Sequence, residues 1–189
     1  MAEMAGFDVM GTSAPWVVFV PRGTAEVQRQ LSALEARGGQ VHHFASSDLM
    51  TERGVHRAFA KALRFPGGYG GNWDALVDCL DDLCGAVTGG VGVAGVIHAA
   101  DGLLTAEHFP LLVSVLCQGA DRANAAVDLD GFPLDRPAMP THFVFELDDF
   151  GGFGGFGAAR VADLVRQPDL VVTAGDRFVA AELDPAEWH

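Results

Sequence analysis

Short apolar runs alternate along this chain with stretches in which apolar residues recur every three or four positions. Trp16-Val-Val-Phe-Val20 is continuous, rich in β-branched and aromatic residues and bounded by Pro15 and Pro21, the pattern of a buried strand. Met1–Pro15 before it reads as a loose lead-in. Val27, Leu31 and Leu34 then share a helical stripe, with Thr24 as N-cap and Gly38-Gly39 as the stop. Val41–Ala45 is a second strand. Ser46, Ser47 and Asp48 are capping residues, and Asp48 or Thr51 opens a helix to Leu63 whose apolar positions Val55, Phe59 and Leu63 are four apart. Phe65–Gly71 is a glycine-rich loop, and Asn72 caps a helix from Trp73 to about Leu83. Val93–Ala99 is a third strand, and Leu103–Gln118 a helix interrupted near Pro110. Gly119–Pro140, with three prolines, predicts a partly ordered connection. Thr141–Leu147 is a fourth strand and Asp148–Gly157 a low-complexity Gly/Phe loop. A short helix over Ala158–Gln167 and a terminal hairpin, Leu170–Thr173 with Arg177–Leu183, complete the pattern.

Strands alternating with helices predict an α/β fold. It is a parallel sheet of three to four strands with packed helices and right-handed crossovers, extended by an N-terminal β-α unit and a small C-terminal tail. The 189 residues form one domain, or one with a small addition, and bury a core without disulfides. Cys79, Cys84 and Cys117 are too few and too scattered for a disulfide framework; they read as reduced thiols, Cys79 as a buried one, in a cytoplasmic protein. No apolar run is long enough to span a membrane, and the N-terminal residues lack the early base of a signal peptide.

Charge sharpens this picture. The chain holds 12 Lys and Arg against 25 Asp and Glu, a net charge of −13, which argues against direct nucleic-acid binding and against anionic membranes. The acids are concentrated: Phe65–Ala159 carries 13 acids and two bases, Arg122 and Arg136. Met1–Arg64 has 6 acids to 7 bases, and Arg160–His189 has 6 to 3. Between Phe65 and Asp121 there is no Lys or Arg at all.

Inside that base-free stretch, Asp74 and Asp78 are four apart and project from one helix face, and Asp81 and Asp82 continue it. Ala75, Leu76, Cys79, Leu80 and Leu83 form the apolar side. Like charges at this spacing repel, and only Asp74, in the first turn, is favoured by the helix dipole. Such local frustration fits a face whose missing cations come from a partner, although spacing alone favours a solvated acidic face. No His, Lys or Arg stands nearby to set the carboxylates apart as acid and base, and four aspartates on one stripe with no His at matching spacing are a weak metal signal.

Here the sequence resembles a known family. Pro66, then Tyr69-Gly70, Asn72, Asp74-Ala75-Leu76 and Asp78-Cys79-Leu80 follow the barstar-like pattern of a tyrosine-glycine loop running into a helix. The resemblance covers about Val41 to Leu147. It divides the chain into an N-terminal β-α extension packed on the sheet (1–40), a barstar-like domain (41–147), and a Gly/Phe loop with C-terminal extension (148–189). The resemblance implies an intracellular inhibitor, not an enzyme, that plugs the active site of a basic ribonuclease or nuclease toxin as an immunity protein. Asp78 would replace the substrate phosphate among the enzyme's cations, Asp74 would make flanking charged contacts, and Tyr69 and Asn72 fall on contact positions. Gly68 and Val77 stand where the family has aromatics, and Trp73 where it more often has an aliphatic; with Asp81 and Asp82 they complete the expected contact set. No cofactor or metal is implied, and the free protein is expected to be a monomer. The alternative from another class is a barstar-fold interaction module for a partner that is not a nuclease.

Other motifs are weaker. Gly90-Val-Gly-Val-Ala-Gly95 matches the dinucleotide fingerprint but runs into a strand instead of opening a helix. Cys79 has no base beside it to make it a nucleophile. His42 and His43 alternate on a strand and so point to opposite faces; His98 and His142 read as satisfied strand histidines.

Overall fold

The structure is a computed structural model, and residues 7–83, 90–126, 132–150 and 157–187 are described. Its elements run β1 (Val17–Pro21), α1 (Ala25–Ala36), β2 (Gln40–Ala45), a 3-10 turn (Ser46–Leu49), α2 (Glu52–Ala62), α3 (Trp73–Asp81), β3 (Val93–His98) and a second 3-10 turn (Leu103–Thr105). Then follow α4 (Phe109–Asn124), β4 (Thr141–Leu147), α5 (Ala158–Val165), β5 (Leu170–Ala174) and β6 (Val179–Leu183).

The six strands form one sheet in the order β2-β3-β4-β1-β6-β5. β2, β3, β4 and β1 are mutually parallel, as the alternation of strands and helices requires. The C-terminal hairpin then adds β6 antiparallel to β1 and β5 antiparallel to β6, so the sheet is mixed. β1, from the N-terminal unit, lies inside the sheet between β4 and β6.

Strand alternation divides the core in two. Phe19, Phe44, Ile97, Phe143 and Phe145 face α2, α3, α4 and α5 in the larger cluster. Val18, Val20, Ala94, Val96 and Val144 face Val27, Leu31 and Leu34 of α1 in the smaller. Gly95 serves the larger face: a Cβ there would lie 2.6 Å from the Phe143 ring.

Several expectations change. Pro110 sits in the first turn of α4 and starts the helix rather than interrupting it, since an N–H is dispensable there. α4 also runs past Gln118 to Asn124, because Gly119, Ala120 and Ala123 are buried on its inner face. Thr24 makes no side-chain cap; its hydroxyl donates to the Pro21 carbonyl at 2.7 Å. Thr51 opens α2, accepting from the Gly54 N–H at 3.1 Å. The described part of the lead-in is stapled rather than loose: Gln30 of α1 bonds Val9 N at 2.9 Å and Phe7 O at 3.1 Å. Most of the Gly/Phe loop, and Cys84, lie outside the described residues. Among the described residues no helix is long and apolar enough to cross a membrane.

Candidate partner-binding face

α2 ends in a left-handed residue. Arg64 has φ 55°, and the Phe65 N–H returns to the Ala60 carbonyl at 3.0 Å, so the chain turns sharply into the loop. There Tyr69 N–H donates to Pro66 O at 3.0 Å, and the Tyr69 ring packs edge-on to Phe65 at 5.0 Å. The Tyr69 hydroxyl and His56 Nδ1 share a hydrogen bond of 2.6 Å. Burial pushes the Tyr69 phenol up to about 12 and lowers His56, so the pair is neutral at pH 7. His56 also packs on Trp73 at 4.8 Å, and Trp73 stacks on His108 at 6.2 Å. Arg53, His56, Arg57, Tyr69, Asn72 and Trp73 surround a hollow of about 510 Å³ beside the loop.

Gly71, at φ 63°, turns the chain so that Asn72 can cap α3; its Oδ1 accepts from the Ala75 N–H at 2.8 Å. Leu76, Val77 and Leu80 bury the inner side of α3. Gly68, Asn72, Asp74, Asp78 and Asp82 are exposed, and Tyr69, Trp73 and Asp81 are half-buried. Val77, at 4% exposure, faces the core, so it supports α3 from beneath rather than offering surface. Cys79 is half-buried, not buried; partial burial, then Asp82 and Asp78, raise its pKa, which keeps it a thiol.

The carboxylates are less isolated than the base-free stretch suggests. Arg122 Nη1, at the end of α4, lies 3.3 Å from Asp78 Oδ1, with side chains 47% and 71% exposed. Arg136 pairs with Asp81 and also donates to the carbonyls of Ala123 at 3.3 Å and Arg122 at 2.9 Å. The two bases of the acidic segment thus both reach α3, which no local spacing reveals. Among the described residues Asp74 and Asp82 take part in no ion pair.

A constellation that sequence reasoning missed lies elsewhere. His98 Nδ1 is 2.7 Å from Glu146 Oε2, and His98 Nε2 is 2.8 Å from His43 Nδ1. Alternation on each strand hinted at a shared face, but only the register brings the three together. Among the described residues no three or more His, Cys, Asp or Glu are grouped to hold a metal ion.

The loop stapled by Tyr69 thus runs into an acid-bearing helix, and both are carried on the α/β core. Residues 39–131, which take in β2, α2, the loop, α3, β3 and α4, match the family model described as Barstar (barnase inhibitor). Over that segment the chain is similar to the barstar-like family. No characterised protein and no solved structure matches the chain.

Proposed function

We propose that this protein inhibits a basic ribonuclease, as a cytoplasmic immunity protein against a nuclease of its own cell. The carrying observation is that the family match spans the loop and helix bearing Tyr69, Asn72, Asp74 and Asp78. In this reading Gly68, Tyr69, Asn72, Trp73, Asp74, Asp78, Asp81 and Asp82 form the contact face, with Val77 beneath them. Asp78 enters the enzyme's active site in place of a substrate phosphate, and RNA is excluded by bulk and by charge. An acidic face also steers a basic enzyme, raising the association rate most at low salt. Arg122 is no obstacle: an exposed ion pair contributes about 0–1 kcal/mol, less than a desolvated cluster of cations offers the same carboxylate.

The test is RNA cleavage by a basic ribonuclease from the same cell, titrated with wild type and with Asp78→Ala. Wild type should inhibit stoichiometrically. Asp78→Ala should raise the inhibition constant about 30-fold or more, the loss of about 2 kcal/mol or more expected for truncating one side of a buried charge pair. If Asp78→Ala inhibits as wild type does, the phosphate-replacing role is wrong. The alternative, a barstar-fold module for a partner that is not a nuclease, draws on Asp78 being engaged by Arg122 in the free protein. It predicts that wild type leaves cleavage unchanged.

A further inference from the structure

Three neighbouring parallel strands bring a carboxylate and two imidazoles into line near their C-terminal ends, where open parallel sheets bind ligands. Glu146 of β4 is only 3% exposed. Its Oε1 accepts from Gln28 Nε2 at 3.0 Å, and its Oε2 accepts from the Nδ1–H of His98 of β3 at 2.7 Å. The ring of His43, on β2, stacks on that of His98 with centroids 5.0 Å apart and planes at 14°. All three residues point to the α1 side of the sheet. α1 covers Ala94, Val96 and Val144 there, whereas His43 and Ala45 of the edge strand β2 remain exposed.

Proton accounting defines what this cluster offers. His98 commits its Nδ1 hydrogen to the buried carboxylate, which leaves an outward lone pair on Nε2. The contact of 2.8 Å with His43 Nδ1 therefore uses a hydrogen on His43. A histidine held by a carboxylate behind it, with its other nitrogen turned to an open surface, is the arrangement that orients and strengthens metal-ligating imidazoles. A second imidazole nitrogen converges on the same point.

We propose that His43 Nδ1 and His98 Nε2 bind one divalent transition-metal ion of the zinc class. Water fills the remaining positions, and Glu146 orients His98 from behind. The metal takes the place of the shared hydrogen, and His43 carries its N–H on Nε2 instead. Zinc–nitrogen bonds of about 2.0–2.1 Å at a tetrahedral angle set the two nitrogens about 3.3 Å apart. With the centroids 5.0 Å apart the two nitrogens face each other nearly head-on, so besides opening the 2.8 Å gap by about 0.5 Å the exposed His43 ring must swing off the line that joins them, while Glu146 holds His98 in place. Imidazole donors suit zinc, copper and nickel rather than magnesium or calcium. The site is on the opposite side of the sheet from α3, so it stands or falls independently of nuclease inhibition.

The experiment titrates the full-length protein with zinc chloride in a non-chelating buffer. Calorimetry gives stoichiometry and affinity, and long-range ¹⁵N–¹H spectra report the ring nitrogens. The expected result is one strong equivalent per chain that shifts His43 Nδ1 and His98 Nε2, with His98 in the Nδ1–H tautomer. His43→Ala, at an exposed position, should abolish that equivalent while the circular dichroism spectrum is retained. Glu146→Gln should weaken binding about 10- to 100-fold, and His108→Ala should leave it unchanged. Retention of the equivalent in His43→Ala overturns the assignment. So does a wild-type imidazole pair that responds to pH but not to millimolar zinc.

Discussion

His142 shows how one residue couples the core to pH. It is fully buried, with Nε2 2.9 Å from the Gly11 carbonyl and Nδ1 3.1 Å from that of Pro15, and it packs against Phe7 and Trp16. The carbonyls favour its charged form, but burial dominates and lowers its pKa. Burial likewise lowers His42 and His56. A folded state whose histidines resist protonation keeps its full stability above the unfolded value, about 6.5, and loses it as pH falls toward the lowered folded values. Asp121 and Glu182, raised by burial, act with the opposite sign, since their carboxyls protonate more readily in the folded state as pH drops toward the acid range. Urea midpoints should therefore be flat near pH 8 and fall as pH drops below about 6.5, with a shallower fall in His142→Gln. A midpoint independent of pH across that window would rule out the burial account. His142 was legible as a satisfied strand histidine, but its partners Gly11 and Pro15 belong to a segment that sequence patterning leaves loose.

At the scale of elements, the acidic helix depends on a glycine in another helix. A Cβ on Gly119 of α4 would sit 2.6 Å from Leu80 Cβ and Cδ1 of α3, so its absence lets the two helices approach closely. Gly119→Val should cost about 1–3 kcal/mol by overpacking. It should also weaken partner binding by displacing α3, although every exposed aspartate is unchanged. Urea denaturation together with the cleavage assay checks this; unchanged stability would mean that the packing yields freely. Local signals read α3 well: Asn72 caps it as expected, and the buried face follows from the spacing of Leu76 and Leu80. The cations do not follow from local signals, because Arg122 and Arg136 are 44 and 55 residues from Asp78 and Asp81. Gly119 itself read as the start of a connection, since burial against α3 overrides the poor helix propensity of glycine.

For the molecule as a whole, alternating strands and helices made the parallel half of the sheet legible, but the sheet order was not. Nothing local places β1 between β4 and β6, or tells whether a C-terminal hairpin joins the sheet or hangs from it; pairing partners separated by most of the chain decide both. The consequence concerns independence of the barstar-like segment. β6 hydrogen-bonds along β1 from Val17 to Phe19, and Val179 and Ala181 are fully buried in the larger core. Cys117 of α4, itself fully buried, lies 3.6 Å from the Ala181 carbonyl as a sulfhydryl donor. Deleting residues 167–189 would leave β1 with one unpaired edge, uncover Phe19 and the inner side of α4, and remove Asp169, the partner of buried Ser114. An exposed flat edge beside apolar surface is a template for self-association. The truncated chain should lose its sharp thermal transition and near-ultraviolet circular dichroism, and should associate in a concentration-dependent way on size-exclusion chromatography. A cooperative, monomeric truncated chain would instead show that the hairpin is a dispensable addition and that the candidate binding face needs only the strands before it.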